Sequence, residues 1–202
     1  MRFDLFRSGM NTKTTLPKRK SPRLPGYDYT LGGGYFITIV THKHRPLFGE
    51  VVNGEVVLNE VGEMIKKEWL NLSASFPNVH LDQFIVMPNH LHGILFITEP
   101  DVGEGLVPSR KKSHKEIDSI KRAPTRDAPT LGEIIGAFKS KTTVKYIQGV
   151  KAFGWLPFKK RLWQRSLYGR IIRDEEELHN LREYIYHNVA KWPEDKENPK
   201  HL

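Results

Sequence analysis

The sequence contains no cysteine. That excludes a disulfide framework and a thiolate metal site, and makes a reducing cytoplasm the expected compartment. There is no run of about 18 apolar residues, so no membrane-spanning helix is expected. No long segment combines a basic face with a broad apolar one, so membrane-surface binding is not expected either. The first residues lack an apolar stretch with a small-residue cleavage site, and no secretory signal is expected. Acidic residues are in short supply, with 23 Asp and Glu against 32 Lys and Arg and a formal net charge of +9 over 202 residues. A surplus of that sign points to a polyanionic partner, nucleic acid first, and is also compatible with solubility alone. The hydrophobic fraction of 38% supplies one domain core.

What is present is organised around Met87-Pro88-Asn89-His90-Leu91-His92-Gly93-Ile94-Leu95-Phe96. If Leu91 to Ile97 is a strand, positions two apart share a face. His90 and His92 then point one way, about 6–7 Å apart along the strand, and Leu91 points the other way. Two imidazoles so placed suit a shared metal ion, of a kind that takes nitrogen ligands more readily than Mg or Ca. Two surface-edge histidines would read the same in this stretch alone.

Around this stretch the chain reads as one domain, residues 29–193, between a basic extension, 1–28, and a polar tail, 194–202. The extension carries Lys18, Arg19, Lys20 and Arg23 in a proline-punctuated run that suits phosphate contact or a solvated tail equally. Tyr35 to Thr41 is β-branched and aromatic and predicts a strand. Asn53-Gly54 between two valine-rich runs predicts a hairpin. Asn59 to Leu72 has helical spacing with Asn59 as N-cap. Val79 to Val86 predicts a second strand, and Met87-Pro88-Asn89 a bend before the histidines. His42 and His44 read as surface residues of a basic loop. Residues from about 99 to 130 are polar, basic and proline-rich without periodicity, and read as a flexible insertion.

Thr130-Leu131-Gly132-Glu133 is a capping box that opens a helix to about Ile147. Lys139 and Lys141 lie largely off its apolar stripe, available to phosphates or simply to solvent. Leu162 to Arg173 reads as extended. It mixes Arg165, Arg170 and Arg173 with Trp163 and Tyr168, cations with stacking surfaces, which suits single-stranded or hairpin nucleic acid. Acids at Asp174 to Glu177 begin a last helix, closed by Trp192-Pro193, in which Tyr184 and Asn188 stand one turn apart.

Together these strings resemble a known family. Met-Pro-Asn-His-Leu-His-Gly, Trp163-Gln164-Arg165, Ile172-Arg173 and Glu183-Tyr184-Ile185 with Asn188 are similar to the single-tyrosine branch of the HUH single-stranded-DNA nucleases. That branch holds the IS200/IS605-like transposases and the REP-associated tyrosine transposases, to which the likeness is greatest. The resemblance implies an α+β, ferredoxin-like antiparallel sheet with helices on one face and a C-terminal catalytic helix. It implies Tyr184 as nucleophile, His90 and His92 as metal ligands, Asn188 as a third ligand, and Mg or Mn as the divalent ion. The implied reaction is cleavage and transfer of single-stranded or hairpin DNA through a 5′-phosphotyrosine, by a monomer or a homodimer. Two departures stand out: Val189 follows Asn188 where many relatives have proline, and Gly169-Arg170 replaces an acidic-His pair. A tyrosine begins with a pKa of about 10, so a metal or a cation such as Lys191 is expected to favour its phenolate. Tyr186, two positions on, reads as structural. A silent DNA-binding relative and a water-using metal hydrolase are the competing readings.

Overall fold

The computed structural model describes residues 33–98 and 129–201. Lys18, Arg19, Lys20 and Arg23, and nearly all of the 99–130 segment, lie outside the described residues.

Four strands form an antiparallel sheet. They are β1 (Gly33–Val40), β4 (Val79–Val86), β5 (His90–Ile97) and β6 (Tyr168–Ile172), in the order β4-β5-β1-β6. A small hairpin, β2 (Gly49–Val52) and β3 (Glu55–Leu58), leads into helix α1 (Glu60–Leu70) and the short α2 (Leu72–Ser75) between β1 and β4. Helix α3 (Leu131–Phe153) joins β5 to β6, and α4 (Glu175–Tyr186) follows β6. Leaving out the hairpin and α2, the order is βαββαβ with one more helix, the ferredoxin-like α+β arrangement expected from the sequence.

Alternation along the two central strands sorts the side chains. Tyr35, Ile37 and Ile39 of β1 and Leu91 and Leu95 of β5 meet α1 and α3 in the larger core, with Ile65, Trp69, Ile134 and Phe138. Phe36 and Ile94 face the other way and meet Leu178, Leu181 and Ile185 of α4. Both sheet faces are therefore covered, which is why β1 is buried along nearly its whole length. His90 and His92 fall on the α4 face.

Local sequence explains the element ends. Asn53 and Gly54, with φ of 52° and 80°, form the two-residue turn that pairs Val52 with Glu55. Asn59 accepts from the Gly62 amide at 3.0 Å to cap α1. Thr130 and Glu133 make the reciprocal capping box of α3. That helix runs six residues beyond the expected end at Ile147. Gly149 does not stop it, because the Trp155 ring packs where a side chain at 149 would stand. Its stop is Gly154, left-handed at φ 70°.

Of the stretch read as extended, Leu162 to Arg173, the part Tyr168–Ile172 is a sheet strand and Leu162 to Leu167 is not. The latter makes one bridge, Trp163 to Thr41. The ammonium of Lys139 donates to the carbonyls of Gln164 (2.9 Å) and Ser166 (3.1 Å), partners a sheet ladder would otherwise supply. Helix α4 also ends early, at Tyr186, and tight turns carry the chain through Asn188 to a turn at Trp192–Glu194.

On β4 an extra residue between Leu81 and Phe84 breaks register with β5. Asp82, at this bulge, takes both the Nε (3.1 Å) and Nη2 (2.5 Å) of Arg182 on α4. The pair fixes α4 to the sheet edge two residues before Tyr184. Between the other helices, buried Glu68 of α1 binds Lys141 (2.9 Å) and Lys145 (2.5 Å) of α3. Burial alone would push the Glu68 carboxyl up, but the hydrogen bonds from Lys145 and Lys141 outweigh it and hold it low.

Gly93 gives a test of packing beneath the histidines. A Cβ there would stand 2.5 Å from Cζ2 of the fully buried Trp69. Gly93→Ala is expected to destabilise the fold by about 1–3 kcal/mol, read as a lowered urea midpoint with unchanged slope. An unchanged midpoint would contradict this packing.

Candidate metal centre and catalytic cleft

The paired histidines stand side by side on β5 with ring centroids 4.5 Å apart. Both are buried, His90 completely and His92 to 3% exposure. The bend before them sets their chemistry. Asn89 uses its amide nitrogen to donate to the carbonyls of His44 (3.0 Å) and Glu197 (2.6 Å). Its oxygen must then be the acceptor in the 2.8 Å contact with His90 Nδ1. His90 therefore carries its proton on Nδ1 and presents a lone pair at Nε2, the tautomer of a metal-ligating imidazole. Thr38, across the ladder on β1, holds His92 Nδ1 at 2.8 Å. That contact turns His92 Nε2 toward α4.

Three further groups converge there. Asp195 Oδ2 lies 4.0 Å from His90 Nε2. That is too long for a hydrogen bond, and within the span of two ligands facing one ion with bonds of about 2.1 Å. His90, His92 and Asp195 each offer a ligand atom within 4.8 Å of the others. Asn188 is buried to 1% exposure. Its Oδ1 and His90 Nε2 are both buried without a hydrogen-bond partner. A buried polar atom left unpaired is costly, and two of them beside a carboxylate fit a divalent cation. The residues present could hold a metal ion.

Tyr184 reaches the same place from α4. Its Oη is 3.4 Å from His92 Nε2, and its ring lies edge-on to His92 (5.3 Å) and Phe36 (5.8 Å). Phe36 in turn stacks on His92 at 5.4 Å. A cleft of about 350 Å³ opens in front of this group, walled by Thr38, His92, Tyr168, Arg170, Tyr184 and Lys196. Tyr186 is 70% exposed, with its ring against His187, and lies away from the cleft.

Titration follows from burial. Desolvation pulls His90 down to about 4, with Asp195 opposing it, and pulls His92 well below its ordinary value, aided by the charge of His90. Both imidazoles are neutral at neutral pH. The Tyr184 phenol is shifted the other way. Burial pushes it up, and the Asp195 carboxylate adds to the shift. The protein's own charges thus oppose the phenolate, contrary to the expectation that a lysine would favour it. Lys191 is exposed at the turn after α4, and the lysine at the cleft is Lys196.

The expected phosphate-binding residues are dispersed. Arg170 lines the cleft but is ion-paired with Glu177. Arg165 and Arg173 are exposed. Lys139 is drawn inward: it holds two loop carbonyls, and burial pulls its ammonium down to about 8. Lys141 is held by Glu68, on the helix pair covering the far face of the sheet. These two lysines build structure because buried acceptors claim them. Asp195 and Glu197 were set aside with the tail, since nothing in Pro193-Glu194-Asp195-Lys196 distinguishes one surface acid from another. The signal was Trp192-Pro193. The chain turns back there, Trp192 lies tilted near His90 at 5.8 Å, and Asn198 is buried with its amide on the Trp192 carbonyl at 2.8 Å.

The fold thus has the form that the family resemblance implied, an antiparallel ferredoxin-like sheet with a C-terminal helix. No family model matches the sequence. At 35% identity over 178 residues, covering 88% of this chain and 92% of the relative, the chain belongs to one family with an uncharacterized protein of Haemophilus influenzae. Two solved structures are similar at low identity. One is a REP-associated tyrosine transposase bound to a REP hairpin, with 17% identity and a TM-score of 0.48 over 82% of this chain and 71% of that one. The other is a candidate transposase from Deinococcus radiodurans, with 16% identity and a TM-score of 0.41 over 82% and 95%. Among the described residues no helix is long and apolar enough to cross a membrane.

Two predictions follow from the buried pair. In the unfolded chain both histidines titrate near 6.5, and in the fold they stay neutral well below that. The unfolded state therefore binds protons first, and metal-free stability falls as the pH drops from about 6.5 toward 4. Urea midpoints measured across that window should fall less steeply for His90→Ala than for the parent. Addition of Mn²⁺ at neutral pH should raise the melting temperature of the parent protein and leave His90→Ala and His92→Ala unmoved.

Proposed function

We propose that the protein is a metal-dependent enzyme that cleaves single-stranded or hairpin DNA and transfers the strand through a tyrosine ester, a transposase-like activity of the single-tyrosine HUH kind. The observation that carries this reading is the meeting of Tyr184 Oη with His92 Nε2 at 3.4 Å, beside the His90–His92–Asp195 cluster and inside one cleft. A water-using hydrolase has no need of a phenol there.

His90, His92, Asp195 and Asn188 would hold the ion. Two imidazoles suit Mn²⁺ somewhat better than Mg²⁺, which is the more abundant in cells. When bound, the ion supplies Lewis-acid polarisation of a non-bridging phosphate oxygen and orients the diester. The rest is done by side chains of the chain itself. Phe36 and the α4 packing fix the Tyr184 ring, and Arg182 on Asp82 fixes the helix. In the cleavage step the bond from Tyr184 Oη to phosphorus forms, the bond from phosphorus to the 3′ oxygen breaks, and that oxygen leaves as a 3′-hydroxyl. The raised phenol must lose its proton as it attacks. Glu197, whose charge it senses and which is not among the residues that would hold the ion, would take that proton and return it to the departing 3′ oxygen. Attack by a 3′-hydroxyl on the phosphotyrosine reverses the step and joins strands without a nucleotide cofactor. Tyrosine and histidines meet within one chain, so a monomer carries a complete site. The net charge of +9 and the absence of cysteine suit a DNA partner in the cytoplasm.

The test is a labelled hairpin or single-stranded oligonucleotide incubated with Mn²⁺ and resolved under denaturing conditions. The parent protein should form a covalent adduct. Tyr184→Phe should lose it by at least about 10³-fold while retaining DNA binding, a loss on the scale of removing a nucleophile. Tyr186→Phe should retain the adduct. Cleavage that survives Tyr184→Phe would assign the reaction to water. Binding without cleavage by the parent would mark a silent relative.

A further inference from the structure

Several of the cations placed by the structure are already committed. Lys141 and Lys145 bind Glu68, Arg170 binds Glu177, Arg182 binds Asp82, and Lys139 binds two carbonyls. One group is not. A second cleft, of about 600 Å³, is lined by His42, Lys43, His44, Arg161 and Arg165. Among the described residues Lys43, Arg161 and Arg165 have no ion-pair partner, and neither an acid nor an apolar side chain lines this cleft. The remaining wall, Gln164 and Ser166, is shared with the catalytic cleft, so the two are contiguous.

The cleft is built rather than incidental. Lys43 and His44 have φ of 61° and 52°, and Lys160, next to Arg161, has φ of 69°. Left-handed backbone is strained for residues other than glycine, and such strain persists where the surroundings enforce it. Here they do. The His42 amide donates to the Leu162 carbonyl at 2.7 Å, and the Gln164 amide to the Val40 carbonyl at 2.9 Å. His44 is clamped on both ring nitrogens: Nδ1 faces Glu197 Oε2 at 2.9 Å and Nε2 faces the Gln164 side-chain amide at 2.9 Å. Glu197 and Asn89 link the same clamp to the metal cluster. The concentrated charge is felt locally: partial burial, then Arg161, Lys43 and Lys160, hold His42 below its ordinary value.

We propose that this second cleft binds the phosphates of the single-stranded DNA flanking the reacting bond, so that one strand runs from the metal centre past Gln164 and Ser166 onto Lys43, Arg161 and Arg165. The proposal rests on the DNA-cleaving reading of the first cleft for its direction and continuity. The choice of ligand follows from the wall. A cleft with cations and no apolar surface binds by charge, and regularly spaced phosphates provide that charge without needing burial. The polar floor and the two imidazole edges also tolerate any base sequence. An acidic peptide would offer charge too, but it has no reason to be continuous with a phosphodiester-cleaving site.

The experiment measures binding of labelled oligothymidylate by fluorescence anisotropy, in chelator, over a series of salt concentrations. Chemistry is then absent, and the result does not depend on whether the protein cleaves. The triple variant Lys43→Ala, Arg161→Ala, Arg165→Ala should bind at least about tenfold more weakly at low salt. Its slope of log affinity against log salt should be shallower by about 2, from three phosphates at about 0.7 each for a single strand. Arg165→Gln and Lys43→Gln alone should each lower the slope by about 0.7, which keeps the test decisive if the triple variant folds poorly. Tyr184→Phe should bind as the parent does, so loss of cleavage and loss of binding are read separately. Unchanged affinity and slope in the single variants would overturn the proposal, as would displacement by polyglutamate at the same charge concentration as oligothymidylate.

Discussion

The hydrogen bond from His90 Nδ1 to the Asn89 oxygen is the constraint on which the site depends. It exists because Asn89 spends its amide hydrogens on two carbonyls, those of His44 and Glu197, which come from distant parts of the chain. One side chain thereby ties the loop after β1, the bend before β5 and the C-terminal turns into a single frame. The same frame fixes a proton. With Nδ1 committed, His90 has only a lone pair to offer at Nε2, aimed at Asp195 and left unpaired.

Burial then does two opposite things with one cause. It strips water from the imidazoles and keeps them neutral, as a metal ligand must be. It also strips water from the Tyr184 phenol and keeps that protonated, as a nucleophile must not be. The carboxylate that could help bind a cation also opposes the phenolate. A divalent charge reverses both terms at once: it neutralises Asp195 and favours anionic oxygen nearby.

Much of this was legible in the chain. The period of two along His90-Leu91-His92 assigned the faces correctly, because a central strand with both faces covered leaves a side chain no third choice. Asn53-Gly54, Asn59 and Thr130-Glu133 marked their elements, since each acts through contacts within a few residues. What failed involved partners far away in sequence. The helix opened by Thr130 reads as ending near Ile147 until the Trp155 ring is seen packed on Gly149 and the left-handed Gly154 is seen to end it. Leu162 to Arg173 reads as one extended run until Lys139 is seen holding the carbonyls of Gln164 and Ser166 ahead of β6. Asp195 reads as one more surface acid until the turn at Trp192–Glu194 brings it to His90. Asn188 was placed on a helix that in fact ends before it, yet it arrives at the cluster through tight turns.

The charge tells the same story at larger scale. A net +9 says that a polyanion is favoured, and nothing about where. Read along the sequence, Lys139 and Lys141 look as available as Arg165, because each is a cation off an apolar stripe or in a polar run. In the fold they differ in kind. A lysine beside buried Glu68 or two loop carbonyls is a structural tie, and removing it exposes an unpaired acceptor. An arginine whose neighbours are all cations has nothing to satisfy it inside the molecule. Its charge stays uncompensated until something anionic arrives. The useful map of a basic protein is therefore the map of where unpaired cations gather, and Lys43, Arg161 and Arg165 gather in a cleft contiguous with the one that holds the tyrosine.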